Sequence, residues 1–173
     1  IRDNYNTVLL HDLGSGLVID RKFLEINNIN IFNNETSVQN SLDDGSDLVM
    51  FSGDKLFGSV QSGIIAGKSN LIEDIKKYSL FRTYRCSPSI LFELQETVSR
   101  YLNKDESSIP FWHLMTQSYK SLEIRLNNIV TDSNFKFDIE EGTSLIGGGT
   151  LPEVTMKSPV LLLKKEGTSS ILE

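Results

Sequence analysis

Two short apolar runs flank a polar, glycine-rich segment in the first part of the chain. Leu-Val-Met-Phe occupies residues 48–51 and Ile-Ile-Ala occupies residues 64–66, and each run stops at a glycine or at serine-glycine. Short continuous apolar runs with such boundaries are typical of buried strands. The sequence therefore predicts two buried strands joined by a loop that contains Lys55. A further β-prone run, residues 7–11, predicts a strand that ends at Asp12.

Helical periodicity appears on either side of these strands. Residues 36–42 predict a short helix, and residues 69–78 predict another with Ser69 as its N-cap. Apolar residues at helical spacing over residues 88–102 predict a long helix that begins after Ser87 with a proline at its first position. The side chains expected on its buried face are Ile90, Leu91, Leu94, Val98, Tyr101 and Leu102.

A polar segment, residues 103–108, separates this helix from the remainder of the chain, and we place a domain boundary there. Beyond it, Ser118 caps a predicted amphipathic helix, and two strands are predicted at residues 135–139 and 159–163, with a flexible glycine turn at 147–149 between them. The helix is expected to bury Leu122, Leu126, Ile129 and Val130. The sequence thus predicts a small α+β domain after an α/β domain.

Composition limits the possible functions. The chain has 173 residues, 39% of them hydrophobic, and a net charge of -6, which disfavours a broad nucleic-acid footprint on this part of the molecule. A single cysteine excludes an internal disulfide and a cysteine-rich metal cage, and we predict no metal site. No apolar stretch reaches the ~20 residues of a membrane span. Because the chain starts at Ile1 without methionine, we expect it to be a fragment.

Lys55 is the most informative residue of the central segment. Burial lowers the pKa of an ammonium group, and a rigid turn fixes its direction. Both properties suit a lysine that forms a Schiff base with a carbonyl substrate or with pyridoxal phosphate. On the local pattern alone, a solvated turn lysine is the default interpretation.

Two other motifs overlap this segment. Gly67-Lys68-Ser69 matches the end of a P-loop, but the first glycine that the motif requires falls on Ser62, and the interior is strand-like. Ser52 and Lys55 match the Ser-x-x-Lys pattern of serine acyl-enzymes, but the Ser-Asp-Asn and Lys-Thr-Gly elements of that site do not follow. We therefore disfavour nucleotide binding and serine acyl transfer.

The segment as a whole resembles the cofactor-lysine segment of the bacterial selenocysteine synthase family, L-seryl-tRNA(Sec) selenium transferase. That family carries Ser-Gly-Asp-Lys, then Gly-x-x-Gln-x-Gly-Ile-Ile-x-Gly-Lys, which match residues 52–55 and 58–68 here. Three further elements resemble the family in the same order, namely Asp-Leu-Gly-Ser-Gly at 12–16, Arg-Thr-Tyr-Arg at 82–85 and Gly-Gly-Gly-Thr-Leu-Pro at 147–152.

The resemblance implies an aminotransferase-like (fold type I) pyridoxal phosphate enzyme. Residues 1–103 would form the later part of its large cofactor-binding domain, and residues 104–173 an incomplete small α+β C-terminal domain. Lys55 would hold pyridoxal 5'-phosphate and then transfer protons. Asp12 would pair with the pyridine nitrogen, and Ser52 would reach the cofactor phosphate. Arg82 and Arg85 would hold an anionic selenium donor.

By the same resemblance, the complete enzyme would convert seryl-tRNA(Sec) to selenocysteinyl-tRNA(Sec) with selenophosphate, as a cytoplasmic homo-oligomer without membrane association. We expect the fragment alone to be inactive. The chain departs from the family at Ser59-Val60, where glycine-proline is usual, and at Ser87-Pro88, where aspartate-lysine is usual. Two alternatives stay open: a related pyridoxal phosphate lyase or sulfur-handling enzyme with a small substrate, and a non-catalytic assembly module.

Overall fold

The computed structural model describes residues 7–132, 137–147, 151 and 154–163 of a mixed α/β chain. Two compact units are present, Ile1–Thr116 and Gln117–Glu173. In the described residues, no helix is long and apolar enough to cross a membrane, and no three acidic, histidine or cysteine side chains are grouped as metal ligands.

A three-stranded sheet organises the first unit. Its strands β1 (Leu10–Gly14), β2 (Leu48–Ser52) and β3 (Gly63–Gly67) lie in the order β1-β2-β3. The β1 and β2 strands are parallel, and β2 and β3 are antiparallel. The two strands predicted around Lys55 are confirmed, but β3 is not buried: its residues alternate between exposed and half-buried. It is a partly solvated edge among the described strands.

The first strand begins three residues later than predicted and includes Asp12. Pairing with β2 explains this difference, because the parallel register runs from Leu10↔Leu48 to Asp12↔Met50 and, after a shift of one residue, pairs Gly14 with Phe51. The limits of a strand depend on its hydrogen bonds to a neighbouring strand, and the hydrophobic pattern of one segment does not show that pairing.

The described residues of this unit also form five helices, namely α1 (Arg21–Ile26), α2 (Val38–Asp43), α3 (Ser69–Lys77), α4 (Pro88–Leu102) and α5 (Pro110–Met115). Short 3-10 helices occupy Asn30–Phe32, Ser79–Tyr84 and Glu106–Ser108. The predicted cap of α4 is confirmed, because Ser87 Oγ accepts the Ile90 N–H at 3.4 Å. The predicted cap of α3 is wrong by one position: Lys68 is the N-cap, and Ser69 is already helical.

The core has two neighbouring parts. Val38, Val49, Phe51 and Phe57 form one cluster, with half-buried Leu13, Leu42, Ile64, Ala66, Leu94 and Tyr101 packed against it. The other surrounds Trp112, which is fully buried between the rings of Phe23, Phe32 and Phe111. Trp112 therefore has a packing role in the described structure. These ring contacts group α5 with the first unit, while the predicted boundary after residue 103 stays a prediction.

The buried face of α4 is narrower than the apolar pattern predicted. Leu94 and Tyr101 pack on the core, and Thr97 is the one fully buried residue of the helix. Leu91, Val98 and Leu102 were expected inside but are exposed, Leu102 to 78%. Only one side of α4 therefore meets the described core, and the flanking apolar residues remain outside it.

A buried carboxylate ties the strand ends together. Asp47 Oδ2 accepts the Leu9 N–H at 2.8 Å, and Asp47 Oδ1 lies 2.6 Å from the Lys68 ammonium. Because Asp47 is almost fully buried, these charged hydrogen bonds replace its hydration. Lys68, the lysine of the rejected P-loop motif, therefore has a structural partner.

The second unit consists of α6 (Tyr119–Thr131) and an antiparallel pair, β4 (Phe137–Leu145) and β5 (Thr155–Leu163). The Ser118 cap is confirmed by its 3.1 Å bond from the Ser121 N–H. Both strands exceed the predicted lengths, and Ile129, expected inside, is 47% exposed. Part of the predicted strand start and of the glycine turn lies outside the described residues.

Candidate active site

The candidate site lies where the two parallel strands end. The carboxyl ends of parallel neighbours meet at one edge of a sheet, which is where α/β proteins place ligands. Ser52 is the last residue of β2, and Lys55 follows three residues later. Because Lys55 lies in the glycine turn directly after the short strand β2, it is placed at this edge of the sheet.

The turn that carries Lys55, residues 53–59, is closed by its own backbone. The Gly58 N–H donates to the Lys55 carbonyl at 2.9 Å, and the Ser59 N–H donates to the Gly53 carbonyl at 2.8 Å. Leu56 and Phe57, immediately after the lysine, are buried, whereas Lys55 itself is half-buried. The buried side chains of Leu56 and Phe57 thus hold the turn in the core, while the Lys55 amine beside them stays partly accessible.

The loop after β1 packs against this turn. The Leu56 N–H donates to the Ser15 carbonyl at 3.0 Å. A Cβ atom placed on Gly14 would lie 3.9 Å from Lys55 Nζ, so the amine points to the end of β1. Gly14 also has φ +68°, a conformation that side-chain-bearing residues rarely adopt. The Asp-Leu-Gly-Ser-Gly and Ser-Gly-Asp-Lys elements, 40 residues apart in sequence, are therefore in direct contact.

One buried hydroxyl in this contact has no partner. Ser15 is only 7% exposed, and its Oγ makes no hydrogen bond within the described part of the chain. A buried hydroxyl without a partner loses free energy of hydration, which makes Ser15 a candidate to bind a polar ligand group. Sequence reasoning missed its side chain, since a serine between two glycines predicts only a turn.

A cavity of about 630 Å³ opens beside the turn. Lys55, Ser59 and Val60 line one side, and Phe92, Thr97 and Arg100 of α4 line another. Its volume falls in the range of small-molecule sites. Of the five predicted site residues, only Lys55 borders it.

Asp12 and Ser52 share one face of the sheet. Asp12 pairs with Met50 across the parallel strands, and Ser52 is two residues further along β2, so their side chains project to the same side. The core side chains Val49 and Phe51 project to the other side. Asp12 is exposed and Ser52 is half-buried.

His11 precedes Asp12 in β1, so its side chain projects to the opposite face of the strand. Its Nδ1 lies 2.5 Å from Ser41 Oγ on helix α2, which gives it a structural role.

Arg82 and Arg85 lie in a different local structure. Arg82 belongs to the 3-10 helix Ser79–Tyr84, and Arg85 follows as its C-cap. Both side chains are exposed, and neither borders the cavity beside Lys55. Their assignment to a selenium-donor site stays a prediction.

Two further side chains of α4 reach the lysine turn. Tyr101 Oη donates to the Phe57 carbonyl at 2.8 Å, and Thr97 Oγ1 donates to Ser59 Oγ at 2.9 Å. Sequence reasoning treated Tyr101 only as an apolar core residue and overlooked Thr97. The threonine inside the apolar stripe of α4 was the available signal, because a polar residue on a buried helix face requires a partner.

Comparisons with known proteins agree with these motifs. The profile of the family described as L-seryl-tRNA selenium transferase matches residues 1–173. An L-seryl-tRNA(Sec) selenium transferase of Clostridium perfringens is 35% identical over 170 residues, covering 94% of this chain and 36% of that protein. Proteins of the same name from Aliarcobacter butzleri and Actinobacillus pleuropneumoniae are 37% and 33% identical, over 96% and 98% of this chain.

The similarity covers only part of those relatives. The chain spans 36% of the length of the Clostridium perfringens and Aliarcobacter butzleri proteins. The turn at residues 53–59, the strands beside it and the arginine pair all lie within the matched residues.

Proposed function

Because this chain belongs to the L-seryl-tRNA selenium transferase family, we propose that it forms the lysine-bearing part of an enzyme that converts seryl-tRNA(Sec) to selenocysteinyl-tRNA(Sec). The observation that carries the proposal is the Lys55 turn, fixed at the carboxyl ends of β1 and β2 with its amine beside Gly14. The names of the relatives supply the reaction class. A seryl-tRNA substrate also assigns the reaction to the cytoplasm.

We assign pyridoxal phosphate as the cofactor, and the residues present fit it. Gly14 has no side chain to block the space beside Lys55 Nζ, and the buried Ser15 hydroxyl has no partner in the described residues. These features support a polar ligand at this edge. We further propose that the unit around the β1-β2-β3 sheet corresponds to the later part of an aminotransferase-like large domain.

Each residue has a defined task in this proposal. Lys55 holds the cofactor, and its amine later moves a proton at the α-carbon of the serine. The Asp12 carboxylate holds the proton of the pyridine nitrogen, and the Ser52 hydroxyl donates to the phosphate. When bound, pyridoxal phosphate supplies the electron sink that allows serine to lose its hydroxyl group.

Arg82 and Arg85 complete the proposed site. A guanidinium group presents paired N–H donors that match the oxygen atoms of a phosphate-like anion, so both arginines suit selenophosphate. We place the tRNA body on other parts of the complete protein, because this chain has a net charge of -6. We also propose that the complete protein is a homo-oligomer.

The test is borohydride reduction of the complete protein after incubation with pyridoxal phosphate, followed by peptide mapping. We expect one pyridoxyl adduct on Lys55, its loss in Lys55→Arg, and its retention in the control Lys76→Arg on the exposed face of α3. A complete protein without an adduct on Lys55 would refute the cofactor assignment. Turnover of seryl-tRNA(Sec), compared with free serine, then separates the proposed reaction from that of a small-molecule lyase.

A further inference from the structure

We propose that Thr97 and Tyr101 of helix α4 are positioning residues that fix the direction of the Lys55 amine by clamping the turn at residues 53–59. We name these two side chains the α4 clamp. The proposal deepens the proposed function and rests on it for the catalytic meaning of Lys55. The clamp itself is argued from the contacts of the turn.

Backbone hydrogen bonds close the turn on itself, and two others in the described residues join it to its surroundings: Gly53 N–H donates to the Ser62 carbonyl at 2.9 Å and Leu56 N–H to the Ser15 carbonyl at 3.0 Å. The Lys55 carbonyl accepts the Gly58 N–H at 2.9 Å, so movement of Gly58 is transmitted directly to the lysine. The residues on either side of Gly58 are Phe57 and Ser59. These are the two residues that the clamp holds.

Tyr101 supplies the first contact. Its hydroxyl donates to the Phe57 carbonyl at 2.8 Å and accepts the Trp112 indole N–H at the same distance. The tyrosine ring also packs on the Phe57 ring, with 5.4 Å between centroids. Since Trp112 is fully buried, the hydroxyl is held from both sides and its direction is fixed.

Thr97 supplies the second contact. Its Oγ1 donates to Ser59 Oγ at 2.9 Å and lies 3.0 Å from the Glu93 carbonyl oxygen of its own helix. Thr97 is 7% exposed, so water competes poorly for this bond.

The two contacts act from one helix face. Residues 97 and 101 are four apart, which places them one turn apart on the same side of α4. Gly58 of the turn has φ +76°, and a Cβ there would lie 2.8 Å from Ile109 Cγ2 and 3.2 Å from Phe111 Cβ. The turn therefore also lies close to the start of α5.

Removing a clamp bond should loosen the turn and change the environment of the Lys55 amine. We would measure the acylation rate of each lysine in the cofactor-free complete protein between about pH 7 and pH 10, with peptide mapping. In Thr97→Val and in Tyr101→Phe, we expect Lys55 to react about fivefold faster, with a shifted pH profile. Thr97→Ser, which keeps the hydroxyl, should restore the wild-type rate.

Matched controls separate positioning from general destabilisation. Thr131 on α6 is also a helical threonine, whose Oγ1 donates to the carbonyl four residues earlier at 2.9 Å, and Tyr78 is an exposed tyrosine, so Thr131→Val and Tyr78→Phe should leave the Lys55 rate unchanged. Lys76 serves as the internal reference lysine in every sample.

Either outcome is decisive. If Tyr101→Phe does not fold, Ser59→Ala removes the partner of Thr97 without touching the Tyr101 bond. Folded Thr97→Val and Ser59→Ala proteins with the wild-type Lys55 rate and pH profile would overturn the proposal. Because acylation needs no cofactor, the clamp can fail while the pyridoxyl adduct forms, and the cofactor assignment can fail while the clamp holds.

Discussion

Tyr101 is half-buried, and its hydroxyl makes two hydrogen bonds: it donates to the Phe57 carbonyl and accepts the Trp112 indole N–H. Its burial raises the pKa of the phenol well above the ordinary value; the Trp112 indole N–H, which stabilises the ionised form, offsets this only in part, and the negative charge of Glu106 adds to the increase. The phenol therefore stays protonated in the folded protein at pH values where an unfolded tyrosine ionises.

This difference predicts a loss of stability in alkali. Below about pH 10 the folded and unfolded states both hold the proton, so Tyr101 adds no pH dependence. Above that pH the unfolded state releases it and the folded state keeps it, and the free energy of unfolding falls by about 1.4 kcal/mol per pH unit. Urea denaturation at several pH values should show the gap between wild type and Tyr101→Phe narrowing above about pH 10. A constant gap would contradict the buried, protonated phenol.

At the residue scale, the sequence predicted the position of Lys55 but not the residues that hold it. A lysine between two short strands is a local pattern, whereas Tyr101 and Thr97 lie 44 and 38 residues from their partners in the turn. Helical periodicity shows which side of α4 is apolar. It cannot show that a hydroxyl on that side meets a particular carbonyl.

Strand β3 depends on the glycine at its end. Gly67 has φ +147°, and a Cβ there would collide with the Asp47 carbonyl oxygen and lie 2.9 Å from Leu48 Cα. We expect Gly67→Ala to lower the free energy of unfolding by about 2 kcal/mol or more, because backbone atoms must move to admit the methyl group. Chemical denaturation of the purified protein measures this loss.

Gly63 at the other end of β3 provides the matched control. A Cβ at Gly63 would meet no atom within 4 Å, so Gly63→Ala should change stability by no more than about 0.5 kcal/mol. Equal losses in the two variants would show that alanine weakens the strand by itself and that the close approach to Asp47 is unimportant.

At the element scale, local chemistry was the dependable guide. Serine and proline at the start of α4 determine where the helix begins, and its predicted and observed limits coincide. How many side chains of β3 and α4 are buried depends instead on what packs against them. This is set by the tertiary structure, and the hydrophobic pattern of one segment does not predict it.

The whole molecule contains two compact units with separate sheets, and its single tryptophan lies in the first. Trp112 fluorescence therefore reports on the first unit, whereas far-ultraviolet circular dichroism reports on both. Units of this kind commonly unfold as separate cooperative blocks.

This separation predicts selective effects of mutations. A Cβ at Gly142 in β4 would lie 2.8 Å from Val160 Cγ1 of β5, so Gly142→Ala should destabilise the strand pair. We expect the circular dichroism transition to shift and the Trp112 fluorescence midpoint to stay constant. Thr143→Ala, at the adjacent exposed position, is the control for strand propensity. Parallel shifts of both signals in Gly142→Ala would indicate one cooperative molecule.

At this scale the sequence predicted an α/β part followed by an α+β part. The short α5 helix illustrates what the sequence could not provide. A polar segment precedes it, and the boundary placed there stays a prediction. The contacts of Trp112 with Phe32 and Phe23, which lie 80 and 89 residues earlier, are long-range ring packing that the sequence pattern does not show.

The α4 clamp also has a consequence for the order of events during folding. Closing a loop of about 40 residues costs more conformational entropy than forming a local turn, so contacts between α4 and the lysine turn form late. The local β2–β3 pairing and the glycine turn can form before helix α4 arrives, because their partners are close in sequence. The amine of Lys55 therefore acquires its final direction only at the end of folding, after the chain around it is already compact.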